Sequence, residues 1–272
     1  MKHIIFSILM LFLSTSAAAQ QLSFAERVAL GMQGEHRSEQ NKARDAHRHP
    51  SETLQFFGIE QGMTVMEIWP GGGWYTEILA PAMRDYGSLI IATWDPEIEG
   101  QPAYRYDLPK KMDQEFADNP EVYDQVNFEY FSPPGSPSLG DPDSLDVIVT
   151  FRNAHGWINS GLAQDVFNEF YRVLKPGGVL GIVQHRAEDG QDPVKTAKNG
   201  YVSEAAVKKL ASNAGLEFES SSEINANPRD SKDHPEGVWT LPPTNQLGEK
   251  DKEKYTAIGE SDRMTLRFRK TR

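Results

Sequence analysis

The sequence predicts an α/β fold: a doubly wound, mostly parallel sheet with helices on both faces. Short β-rich apolar runs alternate along the chain with segments whose apolar residues recur at helical spacing. Within the runs apolar residues stand at consecutive positions, as in strands covered on both faces. The first run feeds a glycine turn, Gly71-Gly72-Gly73, where the period changes to helical. Composition agrees with a globular chain: 272 residues, 38% hydrophobic and 25% charged, exclude a collagen-like or disordered polymer. A formal net charge of -11 repels phosphate backbones, so nucleic acid is not an expected partner. The absence of cysteine excludes a disulfide framework, a thiolate metal site, a cysteine nucleophile and a lipoprotein anchor.

At the start of the chain Lys2 and His3 precede apolar residues 4–13, and Ser14-Thr15-Ser16-Ala17-Ala18-Ala19 follows. This is the layout of a secretory signal peptide cleaved after Ala19. The apolar run is well short of the ~20 residues that span a bilayer. Residues 1–19 are therefore expected to be removed, and residues 20–272 to form a single domain without a membrane anchor, periplasmic or secreted. A cysteine-free chain suits an oxidising compartment.

Residues 20–60 read as an N-terminal helical extension, with a basic stretch from Lys42 to His49 and a helix over 51–57 that Ser51 can cap. Strand 64–68 leads through Trp69-Pro70 into the glycine turn, and the following helix carries Tyr75, Ile78, Leu79, Ala82 and Met83 on one side. Strand 89–93 ends at Trp94-Asp95, followed by a polar stretch through Asn119 and strand 126–131. After a Pro/Gly/Ser loop over 132–143 come strand 146–151 and a helix over 162–174 with an apolar stripe, stopped by Lys175-Pro-Gly-Gly178. Strand 179–184 and a helix over 202–214, with Ser203 as N-cap and Gly215 as its stop, complete the alternation. Residues 225–262 break the rhythm and read as an excursion or lid, since a stretch of that length in a compact domain is usually functional. The alternation of Met264-Thr-Leu-Arg-Phe-Arg269 predicts a half-exposed last strand.

Val65-Met-Glu67-Ile-Trp-Pro-Gly71-Gly72-Gly73-Trp-Tyr-Thr-Glu-Ile-Leu79 resembles the first motif of class I S-adenosylmethionine-dependent methyltransferases. Trp69 stands where that family usually has its first glycine. Asp146-Val-Ile-Val-Thr-Phe151 looks like the family's fourth strand, and Phe170-Tyr-Arg-Val-Leu-Lys175-Pro-Gly-Gly178 like the helix end before its fifth. The likeness covers roughly residues 64–215, and with the signal peptide it points to a group of predicted exported bacterial methyltransferases. It implies a Rossmann-like sheet with a C-terminal antiparallel strand, S-adenosylmethionine as cofactor and a small-molecule substrate. In that reading Glu67 holds the cofactor's ammonium end, Gly71, Gly72 and Gly73 let the backbone approach it, and Asp95 accepts the ribose hydroxyls. Asp95 is equally at home as a residue of the Trp-Asp-Pro turn.

His155, just after the fourth strand, is the candidate general base, with a packing histidine as the plainer possibility. Asn153 is placed to contact cofactor or substrate, and Trp157 to wall the pocket or pack the core. Arg44 and Arg48 fall on one helical face and could clamp a carboxylate of substrate or cofactor, or pair with nearby acids. His234, Glu236 and Trp239 could close over the substrate. His47 and His49 lack metal-type spacing, so no metal is expected. Two further readings compete: a non-catalytic periplasmic binding protein on the same fold, and a nicotinamide-dependent oxidoreductase. Thr76 disfavours the last, because it stands where the third glycine of G-x-G-x-x-G would fall.

Overall fold

In the computed structural model, which describes residues 21–271, seven strands form one sheet; the expected signal peptide lies outside the described residues. The strands are β1 (Thr64–Ile68), β2 (Ser88–Thr93), β3 (Val126–Tyr130), β4 (Leu145–Phe151), β5 (Leu174–His185), β6 (Leu216–Ser222) and β7 (Arg263–Lys270), in the order β3-β2-β1-β4-β5-β7-β6. From β3 to β5 neighbours run parallel, and β7 runs antiparallel to both β5 and β6. The order reverses between β1 and β4, and at such a switch point the crossover helices diverge and leave a crevice at the carboxyl ends of the strands.

The apolar runs become strands because both faces of the sheet are covered. Val65, Val147 and Val149 point to one side, where they meet Phe57, Ile78 and Leu79. Met66, Ile148 and Leu180 point to the other and meet Phe167, Phe170 and Val207. A period of two with an apolar partner on each face makes these middle strands mostly apolar, with Glu67 and Thr150 as polar exceptions toward their carboxyl ends. On the second face the helix Ala163–Val173 buries Val166, Phe167, Phe170 and Val173, the stripe read from the sequence. Ser203 caps the helix Glu204–Ala214 by accepting the Ala206 amide at 3.3 Å, and Gly215 ends it at φ 97°.

Four expectations are corrected. The helix Pro50–Phe57 is entered through His49 in a left-handed conformation, with Pro50 in its first turn, so Ser51 lies inside the helix and does not cap it. The polar stretch before Asn119 is mostly the helix Tyr104–Asp118, which buries only Pro109 and Met112 and so carries almost no apolar signal. β6, Leu-Glu-Phe-Glu-Ser-Ser-Ser, was absent from the expected elements, since an exposed edge strand needs no apolar alternation when its neighbour supplies the hydrogen bonds. β7 is buried rather than half-exposed, because it lies between β5 and β6. Its polar positions are satisfied internally: the Lys270 ammonium donates to Asp143 at 2.6 Å and to the Leu174 carbonyl at 2.8 Å.

The N-terminal extension meets this sheet at a buried carboxylate, among other bonds such as Arg263 Nη2 to the His47 carbonyl. Glu260, 5% exposed, accepts from Arg44 Nε at 2.7 Å, Arg48 Nε at 3.3 Å and Arg263 Nη1 at 3.0 Å. Burial by itself would raise its pKa, but the guanidiniums of Arg48, Arg263 and Arg44 outweigh that and hold the carboxyl down at about 2. Removing this charge leaves buried guanidiniums uncompensated, at a cost of about 3–5 kcal/mol. Glu260→Gln is accordingly expected to lower the free energy of urea unfolding by about that amount at pH 7. A depressed carboxyl contributes its stability above the unfolded pKa and loses it as pH falls through the folded one. The difference between wild type and variant should therefore shrink from pH 4.5 toward pH 2. A variant as stable as wild type at pH 7 would show that the cluster does not hold the extension.

Candidate active site

At the carboxyl ends of β1, β4 and β5 the crevice widens into a cavity of about 450 Å³, within the range of small-molecule sites. Its edge on the β1 side is set by an unusual turn. Trp69 pairs once more with β2, its amide donating to the Ala92 carbonyl at 2.8 Å, and then takes φ 46°. A side chain in that left-handed region costs about 1–2 kcal/mol. The indole offsets the cost: Nε1 donates to the Phe131 carbonyl at 2.7 Å, and the ring packs on Trp94 and Trp157 at 5.3 and 5.6 Å. Tryptophan can thus stand at the glycine position because its ring is held on several sides. Gly71 follows at φ 64°, and a Cβ built on Gly71 or Gly72 would meet nothing within 4 Å, so the turn exposes bare backbone to open space.

Beside this turn Glu67 lines the cavity while 1% exposed, with Thr76 Oγ1 donating to Oε2 at 2.7 Å. Burial pushes its pKa up to about 8, so at pH 7 the carboxyl is mostly protonated. Asn153 Nδ2 donates to the Ile68 and Trp69 carbonyls at 2.9 and 3.1 Å, pinning the ends of β1 and β4 together at the switch point. Behind it Tyr75 stacks on Phe151, with ring centres 3.5 Å apart.

The cationic side is made by Arg48 and Arg152. Arg48 is 1% exposed, lies over the Trp74 ring at 4.6 Å, and has its Nη2 buried without a partner. Arg152 leaves β4 at φ 67°; among the described residues its side chain has no hydrogen-bond or ion-pair partner, and its Nε is buried. Burial, with the neighbouring Arg263 and Arg44, lowers its pKa to about 10, which still leaves it charged at pH 7.

His155 and His185 lie between these poles, their rings 6.1 Å apart. Burial, reinforced by Arg152, lowers the His155 pKa to about 4, so the ring is neutral at pH 7. The Gln184 amide assigns its tautomer. Gln184 Oε1 accepts the Ala154 amide at 3.1 Å and Nε2 donates to the Gly200 carbonyl at 2.8 Å, so the amino group is what faces His155 Nδ1 at 3.4 Å. Nδ1 is then the acceptor and the ring proton sits on Nε2. From that nitrogen the imidazole offers a donor, not a base. His185 is held by Ser261, and burial depresses its pKa well below the ordinary value.

Of the residues singled out in the sequence, Glu67, Gly71, Asn153, His155 and Arg48 line this one cavity, and Gly71, Gly72 and Gly73 line an adjoining cleft of about 150 Å³. Three do not line it. Asp95 is turned into its own loop, accepting from the Glu97 amide at 2.9 Å and from Ser136 Oγ at 2.5 Å, as a turn residue does. Trp157 is fully buried against Phe167 and Phe170, because the helix Ala154–Asn159 faces it into the core. Arg44 stands behind Arg48 on Glu260. Trp239 reaches the cavity from residues 225–262 and meets the His155 ring edge-on at 5.9 Å. His234 is committed to Asp230 at 2.8 Å, in a buried cluster with Tyr201. Arg152 and His185 were missed, yet each stands at the carboxyl end of a predicted strand, the position that assembles such sites.

No family model matches the chain, and no curated protein does either. Solved structures do. An S-adenosylmethionine-dependent methyltransferase from Aquifex aeolicus is similar over 75% of this chain and 94% of its own, with a TM-score of 0.51 and 17% identity. The N-methyltransferase NodS from Bradyrhizobium japonicum is similar over 83% of this chain and 96% of its own, at 0.52 and 12%. The cyclase SpnF is similar over 87% and 84%, at 0.55 and 18%. The fold is that of the class I methyltransferases, and a cyclase among the similar structures shows that the fold alone does not name the reaction.

The His155 resonances should not titrate between pH 8 and pH 5.5, because the ring keeps its single proton through that interval. Proton NMR checks this, with His155→Gln assigning the signals. A His155 midpoint near 6.5 would remove the neutral, Nε2-protonated ring from the site.

Proposed function

We propose that this cavity binds S-adenosylmethionine and that the protein transfers its methyl group to a small-molecule acceptor. The observation that carries the reading is the buried Glu67 carboxyl, with Thr76 as its one side-chain partner among the described residues, beside the open backbone of Gly71 and Gly72 at the switch point of a methyltransferase-type sheet. A carboxyl with spare acceptor capacity suits an ammonium, and a turn without Cβ atoms admits a nucleoside. When bound there, the cofactor supplies an electrophilic methyl on a sulfonium. The chain's own part is to align and to exclude water. Glu67 fixes the amino-acid end, Asn153 keeps the ends of β1 and β4 at fixed separation, and Trp239 covers the opening beside His155. His155 offers its Nε2 hydrogen to an acceptor oxygen, a positioning role that replaces the general base expected from the sequence.

Export to the periplasm, read from residues 1–19, belongs to the same proposal. N-terminal sequencing of protein from fractionated cells is expected to begin at Gln20 in the periplasmic fraction; a chain retained in the cytoplasm with Met1 in place would overturn export while leaving the site untouched. The binding-protein reading keeps one supporting observation, the Asp95 carboxylate committed to Ser136 rather than facing the cavity.

Calorimetry with S-adenosylhomocysteine tests the cofactor assignment. Saturable binding is expected, weakened roughly five- to hundredfold in Glu67→Gln, the equivalent of about 1–3 kcal/mol for a charge-assisted hydrogen bond. Because free Glu67 is mostly protonated at pH 7 and an ammonium partner ionises it, binding should release close to one proton, read from the buffer dependence of the enthalpy. No binding at millimolar ligand would sink the reading. Binding without turnover on any acceptor would favour the binding protein.

A further inference from the structure

The charge on the Arg48 side of the cavity is not balanced by the protein. Arg44, Arg48, Arg152 and Arg263 are grouped around the one carboxylate of Glu260, both of whose oxygens are already occupied by Arg44, Arg48 and Arg263. Asp45, on the same segment, is committed to Arg37 at 2.8 Å. Arg48 and Arg152 both line the cavity, and among the described residues Arg152 has no anionic hydrogen-bond partner while Arg48 Nη2 is buried without one. An unpaired buried guanidinium costs several kcal/mol, a cost that a bound anion removes. Two planar forks are suited to a carboxylate, which they can hold through paired N–H donors. Between them and the glycine turn the walls are flat rings: Trp69, Trp74, Trp94 and Trp239.

We propose that Arg48 and Arg152 form a carboxylate-binding subsite and that the acceptor is an aromatic carboxylic acid bound as its anion. The assignment deepens the methyltransferase reading by naming the acceptor class, and rests on it for the transfer alone. The methyl would pass to a carboxylate oxygen: the sulfonium S–CH3 bond breaks, an ester O–CH3 bond forms and S-adenosylhomocysteine leaves as the neutral thioether, so no proton has to be removed, in accord with the His155 tautomer. The cofactor's own carboxylate is the other source of the same chemistry; its carbon also bears the ammonium assigned to Glu67, on the glycine-turn side.

Benzoate and benzamide, equal in shape and different in charge, are the probes, read by quenching of the cavity tryptophans with and without S-adenosylhomocysteine. Benzoate is expected to bind saturably and at least tenfold more tightly than benzamide. Arg152→Gln should lower benzoate affinity at least tenfold, Arg152→Lys should lower it less, and both should leave S-adenosylhomocysteine affinity within twofold of wild type. Among the described residues Arg152 pairs with no other side chain, so the variant should melt at or above the wild-type temperature, whereas Arg48→Gln also loosens Glu260. Equal binding of the two probes, no benzoate binding, or an unchanged affinity in Arg152→Gln would overturn the subsite. A tenfold loss of S-adenosylhomocysteine affinity in Arg152→Gln, with benzoate competing for that ligand, would overturn the acceptor assignment and give the arginines to the cofactor. Arg152-dependent benzoate binding in a protein that ignores S-adenosylhomocysteine would overturn the methyl-donor reading and leave the subsite standing.

Discussion

The Glu260 carboxylate lies at the meeting of two parts of the chain that are far apart in sequence. Arg44 and Arg48 bring the N-terminal extension to it, and Arg263 brings the start of β7. Its two oxygens accept three guanidinium contacts in a place where water cannot share the work, so each contact is electrostatically stronger than at the surface and each would be costly to lose. The consequence reaches the cavity. Because Glu260 holds Arg48 through Nε, that side chain is fixed where it lines the crevice, and Arg152 lines the same space with no carboxylate left for it. Rigid, under-compensated cations on a fixed backbone make a preorganised anion site.

At the other pole the constraint is backbone geometry. The strand-to-helix turn after β1 requires left-handed conformations at Trp69, Gly71 and Gly73. Glycine meets this at no steric cost; tryptophan meets it because its indole is hydrogen-bonded to Phe131 and packed between Trp94 and Trp157. The same packing draws Trp157 into the core and makes Trp69 and Trp94 walls of the cavity. The turn that admits a ligand is thus braced by the aromatic cluster beneath it, and Glu67, one step earlier on β1, is buried by the same closure, which is what raises its pKa.

The sheet was legible wherever residues are covered on both faces. Runs such as 65–66 and 147–149 are apolar throughout because Phe57 and Ile78 lie on one side and Phe167 and Phe170 on the other. Legibility fails where packing is one-sided or charged. The helix Tyr104–Asp118 buries two residues, β6 lies at an edge, and β7 hides Arg263 and Lys270 among internal partners, so the local pattern either vanishes or misleads. Glu67, Gly71, Asn153 and His155, which strand ends and a glycine turn mark in the sequence, line one cavity. Asp95 and Trp157 were misplaced because a turn aspartate and a core tryptophan look the same in sequence as a ribose ligand and a pocket wall.

The alternation of strands β1, β2, β3, β4, β5 and β7 with most of their helices, and the acid and glycines at the end of β1, were legible in the sequence alone, since each follows from local periodicity and from residues with few permitted conformations. The charge state of the groups lining the cavity was decided by the tertiary structure. Burial, which no local pattern encodes, makes Glu67 a weak acid and His155 a neutral donor. The pairing of Glu260 with residues more than two hundred positions away leaves two arginines lining the cavity.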